Sequence, residues 1–216
     1  MRVRDPARLR ELLQRPDAAQ LSDELVRLFV ETGALLEGHF RLQSGLHSPY
    51  FVRVGQLVYR PEDTRVAVDA MLERSPSKPK TIDVVISAEN ASQYLGRGLA
   101  ERLGARFIAV PIDEQRKPRA DAALPELSKR GARALVVSDV VTTGSSIETL
   151  VERARAHGAL VREVLCLGTL DSRGFQRTCT RLRVPGGAAI ESSWTPVGMS
   201  GCTLSPAEII PAYELS

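Results

Sequence analysis

Between Ala134 and Ile147 the chain reads Ala-Leu-Val-Val-Ser-Asp-Val-Val-Thr-Thr-Gly-Ser-Ser-Ile, and this stretch limits the fold more than any other. An apolar run ends in an acid, Asp139. A turn of Thr142, Thr143, Gly144, Ser145 and Ser146 then opens a segment whose Ile147, Leu150, Val151 and Ala154 recur at helical spacing. A strand feeding a helix through such a turn aims backbone N–H groups and the positive end of the helix dipole at a ligand. Capping a helix takes one hydroxyl, and here four stand in five positions beside an acid. That composition suits one phosphate group held without a lysine, with Asp139 accepting hydrogen bonds from a sugar's hydroxyls. The place for such a site is the carboxyl end of a parallel strand.

The surrounding sequence supplies the rest of a parallel sheet. Ile82–Ile86, Arg106–Val110 and Val164–Leu167 read as further buried strands. Tyr94, Leu95, Leu99 and Leu103 mark one face of a helix between the first two. Alternating strands and helices imply right-handed crossovers and an α/β, doubly wound parallel sheet. Upstream, the stretch to about Leu36 reads as helical. Ser22 suits the N-cap of a helix over Asp23–Thr32, with Leu25, Leu28 and Phe29 on one face and Gly33 at its end. Phe40 and Leu42 alternate with polar residues and Ser44-Gly45 gives a turn, so a hairpin follows. Pro61 opens another helix carrying Val66, Val68 and Met71, and residues 75–80 (Ser-Pro-Ser-Lys-Pro-Lys) read as a linker. The expected division is residues 1–80 as an N-terminal helical segment and hood, 81–173 as the α/β core, and 174–216 as a loop-rich extension packing Trp194 on the body.

Composition narrows the function classes. Of 216 residues, 43% are hydrophobic and 25% charged, which excludes a disordered or collagen-like chain. The balance of 29 basic against 26 acidic residues, a formal +3, lacks the concentrated basic charge of a nucleic-acid binder. No apolar run approaches the roughly 20 residues that span a bilayer, and Met1-Arg-Val-Arg-Asp-Pro lacks the apolar core of a secretory signal. Cys166, Cys179 and Cys202 are an odd number without paired spacing, which argues against a disulfide framework or a zinc site and for reduced thiols in a cytoplasm. His39 and His47 fall in the hairpin, where a structural or exposed role is expected, and His157 ends a helix.

The segment Val136-Val-Ser-Asp-Val-Val-Thr-Thr-Gly-Ser-Ser resembles the phosphoribosyl-diphosphate (PRPP) motif of type I phosphoribosyltransferases: a hydrophobic strand, two acids, two small residues, Thr-Thr-Gly and a hydroxyl. Phe40-Arg-Leu-Gln-Ser-Gly-Leu-His-Ser-Pro-Tyr-Phe resembles the N-terminal hood of the orotate branch, with its Ser-Gly, two residues, then Ser-Pro-Tyr. Arg116-Lys117 falls where that branch has a mobile catalytic loop beginning Arg-Lys. The resemblance spans roughly Leu21 to Leu170 and implies the type I phosphoribosyltransferase fold.

It implies a set of roles as well. Thr142, Thr143, Gly144, Ser145 and Ser146 hold the 5-phosphate, and Asp139 holds ribose hydroxyls. Ser138 stands where the first acid is usual and offers a hydroxyl instead. Ser87, Asn90 and Ser92 lie in the loop that receives diphosphate, although glycine is absent there until Gly96. Lys117 brings positive charge to the leaving diphosphate, with Arg116 and Arg119 in support. Tyr50, Phe51 and Val52 face the acceptor base. Gln43 stands where orotate enzymes carry lysine, and Arg173 is adjacent to Ser172, the position aligned with their carboxylate-binding arginine. Mg²⁺ is carried mainly by substrate oxygens, with no direct side-chain ligand and Asp139 at most reaching it through water. A homodimer is implied, with the loop reaching a neighbouring site.

Three functions are compatible with these residues. One is a pentosyltransferase that moves the ribose-5-phosphate of PRPP to a ring nitrogen of a nucleobase, orotate first, in pyrimidine biosynthesis. A second is a transferase for an uncharged base. A third is a PRPP- or nucleotide-binding regulator without turnover.

Overall fold

The computed structural model describes residues 1–14, 20–77, 81–119, 124, 127, 131–203 and 209–211. Lys78, Pro79 and Lys80 of the expected linker, and the stretch of the expected catalytic loop from Ala120, lie outside the described residues.

Five strands form one all-parallel sheet in the order β4-β3-β5-β6-β7: β3 (Val84–Ala88), β4 (Arg106–Val110), β5 (Arg133–Val141), β6 (Leu160–Thr169) and β7 (Gly186–Glu191). Successive side chains of a strand leave opposite faces, and both faces are covered. Leu135 and Val137 of β5, with Leu165 and Leu167 of β6, pack into one core with the N-terminal helices. Ala134, Val136, Val164 and Cys166 join a second core with Ile147, Leu150 and Val151 of α6 (Ser145–Ala156) and Phe175 and Cys179 of α7 (Ser172–Leu182). Burial on both sides explains why these strands read as continuous apolar runs and not as alternation.

The first core draws on α1 (Pro6–Leu13), α2 (Asp23–Thr32), α3 (Val54–Leu57), α4 (Pro61–Glu73) and α5 (Ser92–Leu103). Ser22 caps α2 by accepting the Leu25 amide at 3.3 Å, and Gly33 ends it at φ 58°. The hood hairpin pairs β1 (Leu35–Arg41) with β2 (His47–Val52) antiparallel, and a short β8 (Ile209–Pro211) adds to β1 in parallel. Helix α2 ends at Thr32 and strand β1 begins at Leu35, so the expected helical stretch stops four residues short of Leu36.

Three expectations need correction. The expected loop-rich extension begins instead with a helix and a strand of the core, through residue 191. Asp171 caps α7 through the Gly174 amide at 2.9 Å, Phe175, Thr178, Cys179 and Leu182 bury one face, and β7 completes the sheet. The glycines obscured this strand, yet close packing requires them: a Cβ on Gly187 would collide with the Arg74 carbonyl, and one on Gly186 with the Cys179 sulfur. The strand carrying Asp139 does not end there but runs on to Val141. Tyr94 does not share the buried face of Leu95 and Leu99; it is 52% exposed.

Candidate active site

The strand order makes the site. From β3 the chain moves to β4 on one side, then returns to β5 on the other side of β3. The carboxyl ends of β3 and β5 therefore flank a topological switch point, where open α/β sheets leave a crevice. A cleft of about 590 Å³ opens there.

Its floor is the turn from β5 into α6. Gly144 adopts φ 84° and lies so near Thr178 that an added Cβ would sit 2.9 Å from the Thr178 hydroxyl. Both constraints demand glycine. No side chain caps α6, and the amides of a helix's first turn have no acceptor within the helix. Those donors face the cleft together with Thr142, Thr143, Ser145 and Ser146, and the Thr143 and Ser145 hydroxyls stand 3.4 Å apart. Ser138 and Asp139 line the same cleft. Burial pushes the Asp139 carboxyl up, against the opposing pull of backbone amides at Val140 and Asp139 and of the Arg116 guanidinium.

From the β3 side come Asn90, Ser92 and Tyr94. Asn90 Oδ1 accepts from the Ser92 amide at 2.9 Å and the Ser92 hydroxyl at 2.7 Å, which fixes the start of α5 and leaves donation from Nδ2 as its chemistry toward a ligand. Ser87 is fully buried, bonds the Ala88 carbonyl and is not part of the lining. Arg116 and Lys117 reach the cleft from the loop after β4. A tight turn presents them: Asp113 accepts the Lys117 amide on Oδ1 at 2.8 Å and the Arg116 amide on its carbonyl at 2.9 Å, with Arg116 at φ 60°. Arg119 is exposed and outside the lining.

The hood closes the remaining side with Gln43, Phe51, Val52 and Arg53. Gln43 Nε2 donates to the Gln115 carbonyl, joining the hairpin tip to the cationic loop. Two expected base contacts stand elsewhere. Tyr50 is buried against Trp194, ring centroids 4.8 Å apart, and takes a hydrogen bond from Arg8 at 2.9 Å. Arg173 is exposed on the outer face of α7 with Gln176 and Arg177, because Ser172 takes the inward position. Sequence reasoning missed Arg53, the Asn90–Ser92 turn, the place of Tyr94 in the lining and the Asp113 turn. Arg53 follows Phe51 by two residues in a strand-like stretch, which is a same-side spacing.

With this geometry in view, comparison with known proteins is decisive. Over 149 residues the chain is 34% identical to orotate phosphoribosyltransferase 2 of Mesorhizobium japonicum, covering 68% of this chain and 74% of that one. The chain belongs to the orotate phosphoribosyltransferase family. The Thermus thermophilus orotate phosphoribosyltransferase is 33% identical over 138 residues, 64% of this chain and 73% of its own. Among solved structures, orotate phosphoribosyltransferase from Aeropyrum pernix superposes with a TM-score of 0.63 at 26% identity, covering 77% of this chain and 93% of that one. The Mycobacterium tuberculosis enzyme, at 17% identity and a TM-score of 0.59, shares the fold. No family model matches the chain. The α/β, doubly wound sheet is thus the type I phosphoribosyltransferase fold.

Proposed function

We propose that the protein transfers the phosphoribosyl group of PRPP to a ring nitrogen of orotate and releases diphosphate. The observation that carries this reading is the meeting in one cleft of the Thr142–Ser146 turn, Asp139, the loop cations Arg116 and Lys117, and the wall of Phe51 and Arg53. The relatives' names supply the acceptor.

In this mechanism the acceptor nitrogen bonds to C1 as the C1–diphosphate bond breaks, through a loose, cation-like transition state. The α6 amides and the four hydroxyls hold the 5-phosphate, and Asp139 aligns the ribose hydroxyls and faces the developing positive charge. Arg116 and Lys117 meet the charge gathering on the departing diphosphate. Arg53 takes the acceptor carboxylate, a part that Gln43 cannot play and Arg173 is turned away from. Ser138 contributes a hydrogen bond without charge.

Magnesium fits the donor set. Among the described residues Asp139 is the sole carboxylate lining the cleft, and Mg²⁺ is commonly held by one or two carboxylates plus substrate phosphates and waters. Bound with PRPP, it neutralises diphosphate charge. Three free thiols suit a reducing cytoplasm, and the family likeness favours a homodimer.

The test is diphosphate release from PRPP and Mg²⁺, with orotate, uracil and a panel of purine and pyridine bases offered in turn. Release with orotate is the expected result. Release only with an uncharged base moves the acceptor. PRPP binding by calorimetry without release from any base makes the chain a regulator, the reading that Ser138 favours.

A further inference from the structure

The cysteine and histidine spacing argues against a metal site, but spacing along a chain says nothing about residues that a fold brings together from far apart. His39 and His47 stand on neighbouring strands of the hood. Arg41 pairs with His47, and an irregularity of the register between Glu37 and Phe40 lets the His39 ring meet that of His47 across the hairpin. Both are buried, at 8% and 1% exposure. Their rings lie 4.9 Å apart, with His39 Nε2 and His47 Nδ1 separated by 2.6 Å. Cys202 completes the group, its sulfur 3.4 Å from His39 Nε2. One donor atom from each residue falls within 4.8 Å of the other two.

We propose that His39, His47 and Cys202 form a binding site for a borderline divalent cation, Zn²⁺. Two neutral imidazoles and a thiolate are the ligands zinc prefers over magnesium or calcium. Tetrahedral zinc, at about 2.0–2.1 Å to nitrogen and about 2.3 Å to sulfur, sets N···N near ~3.3 Å and N···S near ~3.6 Å. The nitrogen–sulfur separation already lies close to that value, and the nitrogens need to part by about 0.7 Å. Three protein ligands leave a fourth position for water.

The site has a structural consequence. The tail bearing Cys202 is already held on both sides of it: the His47 amide donates to the Val197 carbonyl at 2.7 Å and Val197 returns the bond at 2.9 Å, while Ile209 pairs with His39. A bound ion would fasten that tail to the hairpin whose next strand carries Phe51 into the cleft. It would therefore add binding energy to the folded hood.

The purified full chain, freed of metal by chelation and kept without PRPP or Mg²⁺, is titrated with Co²⁺ and then Zn²⁺. We expect one equivalent of Co²⁺ with a thiolate-to-cobalt charge-transfer band, displacement by Zn²⁺, and a thermal midpoint raised by Zn²⁺. Cys202→Ser should lose the band and weaken Zn²⁺ by about 10²-fold or more; Cys166 and Cys179 are buried in the sheet's second core and cannot supply the band. His47→Gln should behave likewise, and if it fails to fold, Cys202→Ser alone decides. The absence of a thiolate band in the wild type, or equal Zn²⁺ affinity in Cys202→Ser, overturns the site. Diphosphate release plays no part in the readout.

Discussion

The Trp194 indole Nε1 donates to the Ser48 hydroxyl at 3.0 Å across 146 positions of sequence. Ser48 is fully buried, and its hydroxyl also donates to the Tyr50 carbonyl at 2.6 Å and accepts the Tyr50 amide at 3.2 Å. One donor and two acceptor sites are thus all engaged. Tyr50, expected from the hood motif to face a base, instead packs at a tilt against Trp194 and holds the hairpin to the segment after β7.

Ser48→Ala should therefore destabilise the protein by about 1–3 kcal/mol, because it strands a buried indole N–H. Trp194→Phe removes the donor and keeps an aromatic ring, so it should cost less, near ~1 kcal/mol. Urea unfolding measures both. Equal midpoints for wild type and Ser48→Ala would show that this hydrogen bond does not hold the hood.

How far the sequence disclosed the molecule differs from element to element. The strand, turn and helix around Asp139 were legible because local chemistry alone specifies them: an apolar run, a glycine that must take positive φ, and hydroxyls at a helix start. The α2 boundaries were legible for the same reason, with Ser22 and Gly33 as caps. Strand β7 was hidden, since Gly186, Gly187, Ala188 and Ala189 carry no β-branched signal and their smallness answers to Arg74 and Cys179 across the core. Arg173 was misplaced by one residue, which on a helix is a turn of about 100°; Ser172 is buried and Arg173 faces solvent. The meeting of His39, His47 and Cys202 was invisible because only the path of the tail beyond β7 creates it.

Asp139→Asn separates stability from function. Burial raises the folded carboxyl's pKa above its unfolded value. Above the unfolded value the unfolded chain has lost this proton while the folded one still holds it, so stability falls as pH rises until the folded pKa is passed. Removing the charge should make the ligand-free variant more stable than wild type at pH ~7, with the gap closing below pH ~4, the ordinary Asp range. Turnover should drop on the order of 10²-fold. Denaturation midpoints at the two pH values, with diphosphate release beside them, make the check. A variant less stable at neutral pH would mean that the carboxylate is fully compensated in the folded state.

Lys117→Ala should lower kcat by about 10²-fold or more and leave the PRPP dissociation constant within a few-fold. The side chain is exposed on its loop and lines the cleft, so it meets diphosphate most strongly as charge leaves C1. Single-turnover kinetics and calorimetry read the two quantities apart. Equal losses in kcat and affinity would make Lys117 a ground-state contact. Arg116→Ala should show a further effect: losing the guanidinium that opposes the raised carboxyl should shift the acidic limb of the rate profile upward.

Ser138→Asp asks whether the site is a weakened form of the family's or one fitted to another ligand. Ser138 is nearly buried at 9% exposure, beside Asp139 and paired in register with Cys166. A second carboxylate there raises its neighbour's pKa by like-charge repulsion and pays desolvation, so the free protein should lose stability. If a missing preorganised charge limits the reaction, turnover with orotate should nevertheless rise by about 10-fold or more in Mg²⁺, where PRPP brings the cation that offsets the repulsion. Steady-state diphosphate release, wild type against variant at matched Mg²⁺, gives the answer. A lower or unchanged kcat in a folded variant that still binds PRPP would show that the Ser138 hydroxyl serves a ligand for which a second acid is no help.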